Sequence, residues 1–296
     1  MRTIMRVVPS VLAVLALASS GRAQISVTPD INPNDLVNNI LGPGISIVGT
    51  PQLLDGAGNP YSVAGAAGVF TGGASAGIGI AGGVVLTTGY ATLIGPVNND
   101  DGAGRDNGLP GYAPLGAQVP GFPTFDALRL KFDFTTPGGD LFFNYVFGSE
   151  EYNEFANSPF NDVFAFFLDG NNIALIPGTT TPVSINNVNG GNPLGTNPQN
   201  ATYFNNNDPS DGGTFAFQYD GFTDVFTAQA LGLSAGTHTI ELAIADSGDH
   251  VLDSGVFIQG GTFSGEITPP GVPDAGSTLA LFGLGLAGLA GLRRKL

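Results

Sequence analysis

The sequence predicts an all-β protein: a single β-sandwich, jelly-roll-like, with an N-terminal signal peptide and a C-terminal transmembrane sorting helix. Three observations lead there. The stretch 142–170, FFNYVFGSEEYNEFANSPFNDVFAFFLDG, holds two short aromatic runs, 142–147 and 160–168, bordered by turn residues and separated by a polar loop, the pattern of strands in a sandwich core. With 46 Gly, 21 Pro and only 11% charged residues, the chain has many turns and little material for surface helices. Its 21 Phe and 7 Tyr, with no Trp, supply enough apolar mass for a packed body and argue against disorder.

Taken in order, the chain opens with Arg2 and Arg6, an apolar run over 7–18, and small residues at Gly21 and Ala23. That is the layout of a signal peptide over 1–23, with cleavage by signal peptidase before Gln24. The body spans 24–268. Its one good helical segment starts near Asn34 or Asp35, either of which can cap Leu36–Leu41. Residues 82–89 read as a buried strand ending in a Gly turn. Just before them, Gly77-Ile-Gly-Ile-Ala-Gly82 has the form G-x-G-x-x-G, but a strand pattern follows it where a dinucleotide site needs a helix N-terminus.

The clearest alternation is 128–134. Leu128, Leu130, Phe132 and Phe134 face inward there, and Arg129, Lys131 and Asp133 face outward, toward acidic cross-strand partners contributing up to about 1 kcal/mol each. Residues 179–213, rich in Asn, Gly and Pro, form a surface excursion with short edge strands. Four strands follow, at 214–219, 222–228, 237–245 and 255–263, with Asp220-Gly221 and Ala235-Gly236 as hairpin turns. No repeat or linker divides the body, which is one domain.

The chain has no cysteine, so disulfides, thiolate metal sites and cysteine nucleophiles are excluded. Six of its nine basic residues lie at the two ends. The body keeps Arg105, Arg129 and Lys131 against twenty-three acidic residues, a net charge of −20. Such a surface repels nucleic acid and anionic lipid and suits divalent cations, or simply keeps an exported protein in solution.

Two acidic clusters carry whatever chemistry there is. One is Glu150, Glu151 and Glu154 with Asn161 and Asp162; the other is Asp246, Asp249 and Asp253 around Gly248. Calcium takes six to eight oxygens from flexible loops, and in a sandwich these two loops can meet at one end and share an ion. The alternative is that the carboxylates cap backbone N–H groups. A third reading is a glycoside hydrolase pairing Glu150 with Glu154 or Asp162 across a cleft. A fourth is a carbohydrate-binding module for extracellular polysaccharide, using Tyr112, Tyr152 or Tyr203 as stacking platforms. His238 shares an apolar strand face with Ile240, Leu242 and Ile244 and reads as a core histidine. His250, one imidazole among hard oxygen donors, argues against zinc.

The C-terminus, 272–296, carries the motif Val272-Pro-Asp-Ala-Gly-Ser-Thr278, an apolar helix over 275–292 and the basic stop Arg293, Arg294 and Lys295. Eighteen residues make a helix of about 27 Å, near the hydrocarbon thickness of a bilayer, and the basic end belongs in the cytoplasm. This arrangement resembles a PEP-CTERM-type sorting signal in its Val-Pro-Asp-Ser-Gly variant, with Ala275 in place of the Ser. The resemblance implies an exosortase-like transpeptidase as partner, removal of the tail near Val272, Pro273 and Asp274, and release or attachment at the cell surface or in the extracellular matrix. Until then the membrane is met only through the C-terminal helix.

The body resembles the choice-of-anchor L domain. The residues that carry the likeness are Gly83-Val-Val-Leu-Thr-Thr-Gly89 with Ile94-Gly-Pro96, Phe147-Gly-Ser-Glu-Glu-Tyr152 with Ser158-Pro-Phe-Asn-Asp-Val-Phe164, and Ala245-Asp-Ser-Gly-Asp249 with Asp253-Ser-Gly-Val-Phe257. It implies a secreted bacterial β domain on varied anchors with no catalytic residues to assign. The resulting expectation is an exported, non-catalytic surface or matrix protein, with calcium as its cofactor.

Overall fold

Short aromatic and β-branched runs broken by Gly, Pro and Asn leave the chain no economical way to bury its apolar groups except in strands. The computed structural model describes residues 24–95 and 97–269. Its strands are β1 (Ser26–Pro29), β2 (Ser46–Asp55), β3 (Ala67–Thr71), β4 (Gly82–Thr87), β5 (Thr124–Thr136), β6 (Gly139–Ser149), β7 (Val163–Leu168), β8 (Asn171–Asn172), β9 (Phe204–Asn206), β10 (Gly221–Thr223), β11 (Phe226–Leu233), β12 (Gly236–Ser247) and β13 (Ser254–Gln259). They form two antiparallel sheets. One has the order β1-β3-β4-β13-β6-β10-β9, with β11 also on β6; the other has the order β2-β5-β12-β7-β8.

The two aromatic runs are β6 and β7, in opposite sheets, and they meet across the core. Phe143 packs on Phe166 with ring centroids 4.9 Å apart, Tyr145 on Phe164 at 5.3 Å, and Phe147 stacks on Phe164 at 5.0 Å. Leu128, Leu130, Phe132 and Phe134 of β5 join the same core, as the alternation predicts. Tyr145 is fully buried and its hydroxyl has no hydrogen-bond partner. An unpaired buried hydroxyl costs about 1–3 kcal/mol. Tyr145→Phe is therefore expected to leave stability unchanged or raise it by about 1 kcal/mol in urea melts; a loss of that size would show that the hydroxyl is partnered.

Both sheets are also covered on their outer faces. A second apolar cluster, including Phe70, Val146, Phe217, Tyr219, Phe222 and Phe257, lies over the larger sheet, and a third, around Leu115, Ala165, Phe167 and Ala243, over the smaller one. The third cluster changes the reading of the outward face of β5. Arg129 is only 8% exposed, enclosed beneath Tyr112 and paired with Glu241.

Among the described residues three short α-helices complete the frame: α1 (Pro33–Ile40), α2 (Gly73–Ala76) and α3 (Ala113–Gly116). The cap of α1 is Asn32 rather than Asn34 or Asp35. Pro33 occupies the first turn, and the Asn32 side chain accepts from the Asn34 N–H at 3.1 Å. Leu36, Val37 and Ile40 close one edge of the core, where Phe263 packs against Phe132, Phe134 and Phe143. From there Ser264 pairs with Phe142 near the start of β6, and Thr268 O accepts from Asn144 Nδ2 at 2.8 Å.

Two expectations fail for local reasons. Residues 214–219 are not a strand, because one side chain takes the place of a neighbouring backbone: Asn207 Oδ1 accepts from Phe215 N at 2.7 Å, and Asn207 Nδ2 donates to the carbonyls of Phe217 and Tyr219 at 2.9 Å each. Nor do Asp220-Gly221 and Ala235-Gly236 make hairpins. The first leads out of that irregular run, and the second carries the chain from β11 in one sheet to β12 in the other. Among the described residues no helix is long and apolar enough to cross a membrane; the signal peptide 1–23 and the expected helix 275–292 lie outside them.

Candidate functional site: a rim of buried carboxyls

The ends of β4, β6 and β12 and the starts of β7 and β13 converge at one end of the sandwich, so the two acidic loops meet. Glu150 N donates to Asp253 O at 3.1 Å, Asn161 N to Ser247 O at 3.1 Å, and Ser247 N to Asp162 Oδ1 at 2.8 Å. Ser254 Oγ donates to Asp162 Oδ2 at 2.6 Å and stands 2.8 Å from Ser149 Oγ. The conjunction of loops expected from the sequence is thus present in the backbone itself.

The seven expected ligand residues fall into different environments. Asp253 is a loop cap: its carboxylate accepts from Arg105 N at 2.9 Å and Tyr90 N at 3.3 Å, while burial pushes its pKa up to about 7. Asp249 caps Val251 N at 3.2 Å, and Glu154 is exposed. Asp162 and Asp246 lie side by side at 1% exposure, and burial raises both carboxyls well above the ordinary carboxylate range. Asp246 also stands beside Thr88, yet neither of its oxygens has a hydrogen bond of normal geometry. Glu151 is raised by burial and then by Asp162 and Asp249, and its Oε2 has no partner. No ion pair among the described residues reaches these groups; the three that occur join Arg129 to Glu241, His238 to Asp169 and His250 to Asp106.

In the bend that follows β6, Glu150 and Glu151 have different neighbours. Glu150 is fully buried against Asp220, and burial, reinforced by that neighbouring carboxyl, pushes its pKa up to about 11; neither of its oxygens has a hydrogen-bond partner. Asp220, likewise enclosed, is raised by burial to about 8. Its Oδ1 accepts from Asn98 Nδ2 at 2.6 Å and its Oδ2 from nothing. One carboxylate oxygen each of Asp101, Asp208 and Asp220 lies within 4.8 Å of the others. None of these three stands out in the sequence, since they come from a polar loop, a turn and an expected hairpin more than a hundred residues apart at the extremes. Asp126 was also missed; it is buried and caps Asn107 N and Leu109 N.

Between the two groups opens a cleft of about 280 Å³, lined by Asp101, Glu151 and Asp249 with Phe155, Phe160, Val251 and Leu252. Glu150, Glu154 and Asp162, the pairings a glycosidase would need, do not line it. The aromatic platforms are differently placed from expectation. Tyr152 is fully buried, its hydroxyl donating to Val188 O at 2.7 Å, and the Arg129 guanidinium covers the Tyr112 ring at 3.9 Å. Tyr203 is half-buried edge-on to Phe226. His238 is the satisfied histidine expected, held between Asp169 Oδ2 at 2.6 Å and Ser234 O at 3.0 Å.

Two facing antiparallel sheets with an anion-rich loop rim define an acidic β-sandwich module. The chain belongs to the choice-of-anchor L family: the family model of the Choice-of-anchor L domain matches residues 25–264. A second model, that of the VPDSG-CTERM motif, matches residues 271–296. Nothing matches among curated proteins or among solved structures. The domain and the sorting motif together make this an exported cell-surface protein. The motif residues Val272, Pro273 and Asp274 and the basic stop Arg293, Arg294 and Lys295 lie outside the described residues.

Proposed function

We propose that this surface protein is a non-catalytic structural module of the cell surface or extracellular matrix. In this reading an exosortase-like transpeptidase processes its C-terminal signal, and calcium stiffens its sandwich at the rim. The observation that carries it is the Asp162–Asp246 pair with Glu151: three buried carboxyls, with unpartnered oxygens on Asp246 and Glu151 and no basic side chain paired to any of them. Adjacent buried carboxyls must either hold protons or share a cation, because uncompensated buried charge is prohibitively costly. The donors are all oxygen, on loops, in a chain without cysteine, which is the chemistry of calcium rather than of zinc. A surface-sorted body at −20 also meets millimolar calcium outside the cell more readily than any polyanion.

Two measurements test this reading. Native mass spectrometry of the exported protein is expected to find bound calcium, lost in part from Asp246→Asn; a calcium-free wild type in millimolar calcium removes the ion. The same spectra should place the mature C-terminus near Val272–Asp274, with Pro273→Ala retaining the tail. A wild-type chain that still ends at Leu296 removes the processing.

A further inference from the structure

The sequence directs attention to the loop at 246–253, but a group of three carboxylate oxygens also comes together around Asp101, which lines the same cleft. We propose that Asp101, Asp208 and Asp220, backed by Glu150, form a second calcium site, which clasps the irregular 204–220 segment to the rim. This rests on the same reading of the protein as a calcium-stiffened module, but on a separate set of oxygens.

The geometry admits one divalent cation among the three carboxylates. Calcium–oxygen distances near 2.4 Å put opposed ligands about 4.8 Å apart. The three carboxylate oxygens lie within 4.8 Å of one another.

A second, independent observation separates this cluster from an ordinary acidic surface. Asp220 and Glu150 are both 0% exposed and face one another, and beyond that carboxyl–carboxyl contact no donor reaches Asp220 Oδ2 or either Glu150 oxygen. Oxygens left bare in a protein interior need a proton or a cation. The supporting contacts hold the carboxyls in place without using up those oxygens. Asn98 Nδ2 reaches both Asp220 Oδ1 at 2.6 Å and Asn207 O at 3.1 Å, and Gln218 Nε2 fixes Asn98 Oδ1 at 3.1 Å. Asp208 caps Ser210 N with Oδ1 at 2.7 Å. Asp101 is exposed, which gives an ion a path in and leaves room for waters to complete its shell.

The ligands come from three places in the chain: the loop after residue 97, the turn after β9, and the residue before β10. An ion here ties down a segment that forms no strand over 214–219 and is held by the Asn207 side chain, by Ala216 N to Ala76 O at 3.2 Å and by Gln218 N to Ile94 O at 3.0 Å. The site's role is thus to order that segment.

The test uses the exported protein, calcium chloride as the probe, isothermal titration for stoichiometry, and limited proteolysis of the 204–220 segment. Wild type is expected to bind two ions, with calcium slowing cleavage in the segment at least tenfold. Asp101→Asn, an exposed change that spares the fold, and Asp208→Asn, which keeps the cap, should each weaken one ion at least tenfold and abolish the protection. Asp162→Asn should lose the other ion and keep the protection. Asp220→Asn places an amide donor beside Glu150 and should melt higher than wild type in chelator while no longer responding at this site. Wild-type titration and wild-type protection in Asp101→Asn and Asp208→Asn overturn this site and leave the rim reading standing. A loss confined to those two variants, with Asp162→Asn unchanged, supports this site and overturns the other.

Discussion

Millimolar calcium should raise the melting temperature of the exported protein by about 10 °C or more at pH 8, and by far less at pH 5. A ligand that binds only the native state adds RT ln(1 + [L]/Kd), about 2.7 kcal/mol per site at a hundredfold excess over Kd. Two sites give about 5 kcal/mol, and a domain of this size shifts by about 2–4 °C per kcal/mol. The pH dependence follows from the raised carboxyls. Burial lifts Asp253 to about 7, Asp220 to about 8 and Glu150 to about 11, so the folded, metal-free protein holds more protons than the unfolded chain above about pH 4. Its stability in chelator is therefore greatest near that pH and falls as the pH climbs through the folded values. Calcium needs the carboxylates deprotonated, so its effect grows over the same interval. A chelator profile that is flat from pH 5 to 8, or a calcium shift of equal size at both, would contradict this account.

The second large effect has nothing to do with metal. Arg129→Ala is expected to cost about 3–5 kcal/mol, the usual cost of leaving one partner of a buried pair without its counter-charge. Arg129 grips Glu241 with two hydrogen bonds, Nε to Oε1 at 2.8 Å and Nη2 to Oε2 at 3.2 Å, and its Nη1 donates to Asp55 O at 3.2 Å. Tyr112 lies over its flat face, and burial followed by Glu241 pushes the Tyr112 hydroxyl up to about 12. Arg129→Lys should fare little better than Arg129→Ala, since an ammonium reproduces neither the fork nor the stack. Glu241→Leu in the Arg129→Ala background should recover most of the loss, because the stranded charge is then gone. An Arg129→Ala variant within 1 kcal/mol of wild type in denaturant melts would show the pair to be solvated.

These two cases also mark what could be read from the chain alone. The sandwich was legible because its cues are local: β6 and β7 announce themselves as aromatic runs between turn residues, and β5 alternates along its own length. The meeting of the Glu150 and Asp246 loops was legible from their position at strand ends. The alternation puts Arg129 on the right strand face but gives it a small worth, because nothing nearby in sequence reveals that Tyr112 and α3 cover that face. Tyr152 looked like an exposed platform in a polar loop, but its hydroxyl finds a carbonyl thirty-six residues on and draws the ring inside. Residues 214–219 have the composition of a strand, yet one asparagine side chain binds their backbone first. The Asp101, Asp208 and Asp220 group was the least legible, since each member sits in an ordinary turn and only the closed fold assembles them.

The path of the chain beyond Phe263 has a consequence for orientation. Ser264 runs beside Phe142, seven residues before Ser149 on β6, or about 23 Å along an extended strand from the acidic loops. Four residues on, Thr268 O meets Asn144 Nδ2 midway along β6, about 16 Å from Ser149. The acidic loops therefore stand clear of the segment that leads toward the sorting motif, so that a ligand at the rim and the processing of the tail need not compete for the same space.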